Sequence, residues 1–165
     1  MKKRCVVLVF SCLFLLLFSG TAALAADVDN VYDSCVKECQ IERFEDGSYA
    51  IDETTVYIPA GSAVKSAFLN KSASRTYTYF ESSNNKAWSF TINGSFRYNG
   101  TTAYAVDASC SSRIYANGWS CTSKSATYSN AVAKGTGTFR CLSLTKSISI
   151  GLKCAADGTI TNVNY

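Results

Sequence analysis

Between Trp88 and Tyr98 the large apolar side chains fall on every second residue: Trp88, Phe90, Ile92, Phe96 and Tyr98 are all even-numbered. Side chains alternate between the two faces of a strand, so this spacing predicts a strand with one buried face. The same stretch contains Asn93-Gly94, and Asn99-Gly100 follows it. Asn-Gly between apolar residues is a strong hairpin signal. A two-residue turn at Asn93-Gly94 would set Ile92 opposite Ser95 and Phe90 opposite Arg97. The apolar residues of the two arms would then occupy opposite faces, which no half-buried hairpin tolerates. One continuous strand keeps them together, with Gly94 on the same face as the place for a bulge or a close neighbouring backbone. A three-residue turn at Asn93-Gly94-Ser95 would also restore the parity. The continuous strand, turning at Asn99-Gly100, is the preferred reading.

The same counting extends along the chain. Tyr104, Val106, Ala108 and Cys110 share a parity, as do Trp119 and Cys121 after a turn at Ala116-Asn117-Gly118. Ser129-Asn130 turns again. Ala131, Ala133, Gly135, Gly137, Phe139 and Cys141 follow on one face, and Ile148, Ile150, Leu152 and Cys154 on another. Asp157-Gly158 leads into a short last strand around Ile160 to Val163. Short strands with regular turns predict an all-β fold, an antiparallel β-sandwich, with a small barrel as the alternative. A short N-terminal helical or irregular arm precedes it. Asp33 to Cys39 reads as one or two helical turns capped by Asp33 or Ser34.

Met1-Lys2-Lys3-Arg4, the apolar run Cys5 to Phe18 and Ala23-Leu24-Ala25 have the order of a secretory signal peptide, cleaved after Ala25. The run is shorter than the roughly 20 residues of a spanning helix. The expected organisation is a signal peptide at 1–25, an acidic arm at 26–58, a Ser/Lys/Tyr-rich connector at 59–85 and a β domain at 86–165. The expected destination is outside the cell, with no membrane span after cleavage. Six cysteines remain beyond the signal: Cys35, Cys39, Cys110, Cys121, Cys141 and Cys154. An even number in a short exported chain predicts a disulfide framework. Cys110, Cys121, Cys141 and Cys154 fall on apolar faces and are expected to pair mostly with each other. Cys35 and Cys39 would bond each other or tie the arm to the body. A zinc site is the weaker rival, because the chain has no histidine and no C-x-x-C pair. No cofactor or metal is expected.

Trp88-Ser89-Phe90, Phe96-x-Tyr98-Asn99-Gly100-x-x-Ala103, Trp119, Ser129-Asn130-Ala131 and Cys154 ahead of Asp157-Gly158 resemble a group of small secreted β-rich proteins of Gram-positive bacteria. The resemblance runs from about Ser74 to Gly158. It implies export and a β-rich C-terminal half, and it transfers no catalytic residue.

Charge supplies the functional expectation. The formal net charge is +4, three cations of which (Lys2, Lys3 and Arg4) belong to the signal. Asp27 to Ile58 holds nine acidic and two basic residues, whereas Pro59 to Tyr165 holds eleven basic and three acidic. Arg97, Lys124, Lys134, Arg140 and Lys153 sit off the apolar parity of their strands and should point outward. Such a surface would attract an anionic envelope polymer, an acidic glycan or anionic headgroups. The acidic arm would lie over that surface or be removed, so a fragment from about Pro59 should bind such a polymer better than the mature chain. Nucleic acid is not an expected partner, since no nucleic-acid motif is visible.

Catalytic signals are sparse. Without histidine there is no Ser-His or Cys-His dyad. Ser62-Ala63-Val64-Lys65 and Ser143-Leu144-Thr145-Lys146 match S-x-x-K, but the companion S-D-N and K-T-G elements are missing. The body's carboxylates, Glu81, Asp107 and Asp157, are too few for a glycosidase pair once Asp157 is assigned to its turn. Tyr77, Phe80, Tyr115 and Tyr128 are candidate platforms for sugar rings, against the simpler reading of core packing. Asn70, Asn93 and Asn99 open Asn-x-Ser/Thr sequons that matter only in a eukaryotic source. The expected role is non-catalytic: binding anionic polymers or glycans at the cell envelope or outside the cell. A secreted antimicrobial or toxin-like protein is the alternative, and a hydrolase a distant one.

Overall fold

The computed structural model describes residues 32–59 and 67–165. The expected signal segment and the first S-x-x-K match lie outside the described residues. Nine strands are described: β1 (Tyr32–Arg43), β2 (Tyr49–Pro59), β3 (Leu69–Phe80), β4 (Lys86–Tyr98), β5 (Ala103–Ile114), β6 (Trp119–Ser129), β7 (Val132–Cys141), β8 (Leu144–Cys154) and β9 (Ile160–Asn164). They form a five-stranded sheet, ordered β1-β2-β3-β4-β5, and a four-stranded sheet, ordered β6-β7-β8-β9. All pairings are antiparallel between sequence neighbours. The fold is thus an all-β, two-layer sandwich, as the alternation predicts.

Strand β4 runs unbroken through Asn93-Gly94. The turn comes at Asn99-Gly100, where Gly100 has φ +87° and Asn99 Oδ1 accepts from the Thr101 and Thr102 amides at 3.0 and 2.8 Å. Trp88, Phe90, Ile92 and Phe96 are buried on one face. Opposite them lie Ala133, Phe139, Ile150, Leu152 and Cys154 of the other sheet. The Trp88 ring stacks on Phe139 at 3.9 Å between centroids and on Tyr79 at 5.3 Å. Gly135 and Gly137 leave room for the Phe90 ring, which would meet an added Cβ at 2.9 and 3.0 Å respectively.

Two bulges redirect the counting. Ser95 pairs with Asp107 and Phe96 with Ala105, so Val106 is the extra residue in β5. A bulge inserts one residue and flips the parity beyond it. Ala105 is therefore buried and Val106 exposed, contrary to the expected shared face of Tyr104, Val106, Ala108 and Cys110. In β6, Cys121 pairs with Phe139 and Ser123 with Thr138, which leaves Thr122 as the extra residue.

The acidic segment also departs from expectation. Asp33 to Cys39 is strand, not helix: β1 pairs with β2 throughout, and β2 with β3. Cross-strand pairing outweighs a cap signal in a short segment of mixed periodicity. The described part of this segment is one edge of the five-stranded sheet and does not lie over the outer face of the four-stranded one. The stretch expected as a connector contains β3, whose Ala73, Arg75, Tyr77 and Tyr79 are buried.

Cys39, Cys110, Cys121, Cys141 and Cys154 are free thiols, so the expected pairing among the last four is corrected. Within each sheet the register sets no two of these cysteines directly opposite. Cys110 faces Ile92, Cys121 faces Phe139, Cys141 faces Trp119 and Leu144, and Cys154 faces Ile160. Apolar parity put these residues near the core without putting any two opposite each other. Cys35 occupies a β1 position paired with Tyr57.

The β7–β8 turn carries a backbone cost. Leu142 has φ +52° and is 86% exposed. A left-handed conformation costs a side-chain-bearing residue roughly 1–2 kcal/mol, and no burial offsets it here. Leu142→Gly is expected to stabilise the fold by about 0.5–1 kcal/mol, read as a higher midpoint in thermal unfolding.

Candidate functional site

Two features are candidates for a ligand: a cleft between the layers and the outer face of the four-stranded sheet. The cleft, of about 330 Å³, opens where β2 and β3 face β8 and β9; Arg75, Tyr77, Tyr79, Trp88 and Lys146 are among its walls. Arg75 points inward because β3 places odd-numbered residues on the core side, with Ala73, Tyr77 and Tyr79. Its guanidinium is 2% exposed and fully engaged. Nε and one Nη donate to the Asp52 carboxylate at 3.0 and 2.6 Å; the other Nη donates to the Gly151 and Val163 carbonyls at 3.1 and 2.8 Å. Asn164 Oδ1 accepts the remaining N–H. All five donors are spent, so Arg75 ties β3 to β2, β8 and β9 and offers nothing to a ligand. Thr54 Oγ1, donating to Asn162 Oδ1 at 2.8 Å, adds a second tie between β2 and β9.

Tyr77 and Lys146 of the cleft are also engaged. The Tyr77 hydroxyl donates to Glu42 Oε2 at 3.2 Å, and burial, with the Glu42 charge second, pushes its phenol well above the usual range. Lys146 lies over the rings of Phe44 and Tyr79 at 5.0 and 5.3 Å, with Asp46 at 4.0 Å. Hydrogen bonds from Ser48 hold the Asp46 carboxyl below its ordinary value. The second S-x-x-K match is split by this arrangement: Lys146 turns toward the aromatic rings, while Ser143 stands on the exposed β7–β8 turn. Trp88 Nε1 is buried without a hydrogen-bond partner.

The cations singled out in the sequence do not form one surface. Arg97 is exposed on the outer face of the five-stranded sheet, where Nε donates to Asn70 Oδ1 at 3.2 Å. Lys134 and Arg140 on β7 and Lys153 on β8 share the outer face of the four-stranded sheet. Lys124 is exposed, but beyond the Thr122 bulge it pairs with Gly137 and so takes the inward parity at the edge strand. Around the three outer cations run cross-strand rows of hydroxyls: Ser123, Thr138 and Ser147; Ser125, Thr136 and Ser149. From Trp119 to Tyr165 the one carboxylate side chain is Asp157. It sits in the β8–β9 turn, where accepting from the Thr159 amide at 2.8 Å keeps it ionised below the usual range. Lys134 and Lys153 are diagonal neighbours, since Lys134 pairs with Gly151 and Val132 with Lys153. The Lys134 amine lies 3.9 Å from the Tyr165 ring centroid.

The aromatic candidates divide as well. Tyr77 belongs to the core, and Phe80 stacks on Tyr49 at 4.6 Å. Tyr115 and Tyr128 are exposed. Lys86 and Arg113 lie over the Tyr115 ring at 4.5 and 5.2 Å. Arg75 was counted in the sequence only as a cation, and Lys146 as a cation and the lysine of the second S-x-x-K match. The shared parity of Arg75 with Tyr77 and Tyr79 was the available signal for the first; nothing local marks the second.

Among the described residues no group of His, Cys, Asp or Glu side chains is placed to hold a metal ion, and no helix is long and apolar enough to cross a membrane. Compared with family models, curated proteins and solved structures, the chain matches none.

Proposed function

We propose that this protein is an exported, non-catalytic β-sandwich that binds an anionic polymer or acidic glycan at or beyond the cell envelope, through the outer face of its four-stranded sheet. The observation that supports this reading is the composition of that face. Lys134, Arg140 and Lys153 stand among cross-strand hydroxyls with no carboxylate beside them. A repeating polyanion gains Coulomb attraction there and loses little to repulsion, and the flanking hydroxyls accept or donate to its oxygens. A broad sheet face without a pocket suits an extended chain better than a compact substrate.

Binding is best measured with soluble poly(glycerol phosphate) as probe. The double variant Lys134→Glu/Lys153→Glu is expected to bind about tenfold more weakly at low salt, the equivalent of about 1.4 kcal/mol. Raising the ionic strength should weaken the wild type, because exposed charges are screened over roughly 10 Å at 0.1 M salt. Arg97→Glu, on the opposite face, should leave the affinity unchanged. Equal binding by the double variant and the wild type sinks the proposal. The arm-deletion comparison is not a clean test, because removing residues up to Ile58 strips Asp52 from the buried Arg75.

A further inference from the structure

The five-stranded sheet is one strand wider than its partner layer, and β1 is the strand left over. β2 takes one edge of it from Ser34 to Arg43, and among the described residues no strand pairs with the other. Every side chain from Lys37 to Arg43 is exposed, on both faces. Natural edge strands are usually kept short, bulged, broken by proline or studded with charges to prevent pairing with another chain. Of these devices the stretch from Lys37 to Arg43 has only the charges Lys37, Glu38, Glu42 and Arg43, whose signs leave some registers free of like-charge pairs. β1 is 12 residues long, has no proline and is irregular only between Tyr32 and Ser34. The end strand of the four-stranded sheet on that side, β9, has 5 residues.

We propose that β1 is the seam of a symmetric dimer, in which a second copy of this chain pairs antiparallel along it with Cys39 at the two-fold axis. A two-fold perpendicular to the sheets continues outer face onto outer face, so facing residues must share parity. Among registers centred on the exposed residues Lys37 to Arg43, clear of the irregularity at Tyr32/Ser34, the charges then select one. Centring on Lys37 or on Glu38 sets that charge against itself. Centring on Gln40 sets Glu38 against Glu42 and Lys37 against Arg43. Like charges directly opposite are destabilising. Centring on Ile41 avoids them but pairs only Cys39 to Arg43. Centring on Cys39 avoids them and pairs Cys35 to Arg43. It sets Lys37 opposite Ile41, which is 58% exposed in the single chain, and Glu38 opposite Gln40. It also brings the two Cys39 residues face to face at a separation that antiparallel pairs and disulfides share, about 4.5–5.5 Å between Cα atoms.

Sedimentation of the purified, reduced protein is expected to show a concentration-dependent dimer. Ile41→Lys, an exposed change that leaves the fold intact, sets lysine against Lys37 twice and should raise the dimer dissociation constant about tenfold. Cys39→Ser should keep the dimer. Oxidised glutathione then reports the register. One Cys39 thiolate attacks the glutathione disulfide and releases one glutathione thiol; Cys39 of the second copy displaces the other. The two cysteine protons end on the two glutathione thiols. Partial desolvation beside β2, and then the Glu53 and Asp52 charges, raise the exposed Cys39 thiol above its ordinary value, so the exchange is run at alkaline pH. A Cys39–Cys39 link between copies is expected on peptide mapping and is lost in Cys39→Ser. A reduced wild type that stays monomeric, an Ile41→Lys variant that dimerises as well as the wild type, or a link from Cys39 to any other cysteine overturns the proposal. None of these outcomes bears on polymer binding by the opposite sheet.

Discussion

Asp52→Ala should destabilise the sandwich by about 3–5 kcal/mol, read as a lower midpoint in urea unfolding with the slope retained. The substitution leaves the Arg75 guanidinium, 2% exposed, facing three neutral acceptors and no counter-charge. A buried charge that loses its partner keeps its full desolvation penalty. Arg75→Met should cost a similar amount, for the mirror-image reason: Asp52 then becomes the uncompensated charge, and the carbonyls of Gly151 and Val163 lose a donor. The two changes should not add. Asp52→Leu/Arg75→Met removes both charges and replaces them with apolar volume, and is expected to cost less than either single change. Singles below about 1 kcal/mol, or a strictly additive double, would mean that the pair is solvated in solution and does not join the layers. The pair joins the acidic hairpin β1–β2 to β8 and β9 of the other layer.

Arg75 also shows where the sequence was legible. Alternation is readable when one face is apolar and the other polar, which holds for β4, β7 and β8, and those strands lie where the parity of Phe90, Phe139 and Ile150 sets them. It fails in three physical situations. In β3, serine, threonine and asparagine fill the outer face, while the inner face holds an arginine beside Tyr77 and Tyr79, so a core position reads as surface. In β1 the strand overhangs the second layer, so Lys37 to Arg43 are exposed on both sides and there is no pattern to find. In β5 and β6 one extra residue, Val106 and Thr122, shifts the parity partway along. Lys124 was assigned the wrong face by that shift. Cysteine pairing was misread for a related cause: parity fixes the face, but only register fixes the neighbour.

Gly94 offers the sharpest test of the layer packing, because its place in the middle of a strand is the feature that separates one long β4 from a hairpin. A Cβ at residue 94 would lie 2.7 Å from Phe96 Cζ and 2.8 Å from Ala133 Cβ. The first contact is the far end of a side chain that can swing. The second is a methyl fixed to β7 in the opposite sheet, and Ala133 is fully buried. Relief therefore means moving the layers apart or bending a strand, at the upper end of the range for overpacked cores. Gly94→Ala is expected to cost about 3 kcal/mol in urea unfolding. Ala133→Gly removes the rigid obstacle, at a cost of about 1 kcal/mol on its own from the lost methyl and the added backbone freedom. Combined with Gly94→Ala it should recover at least half of the penalty, since the methyl lost from one layer is replaced by the methyl gained from the other. If the cost of Gly94→Ala is the same with alanine or glycine at 133, the two sheets do not meet at this point. Gly94 would then have to be explained within β4 alone, by the ring of Phe96.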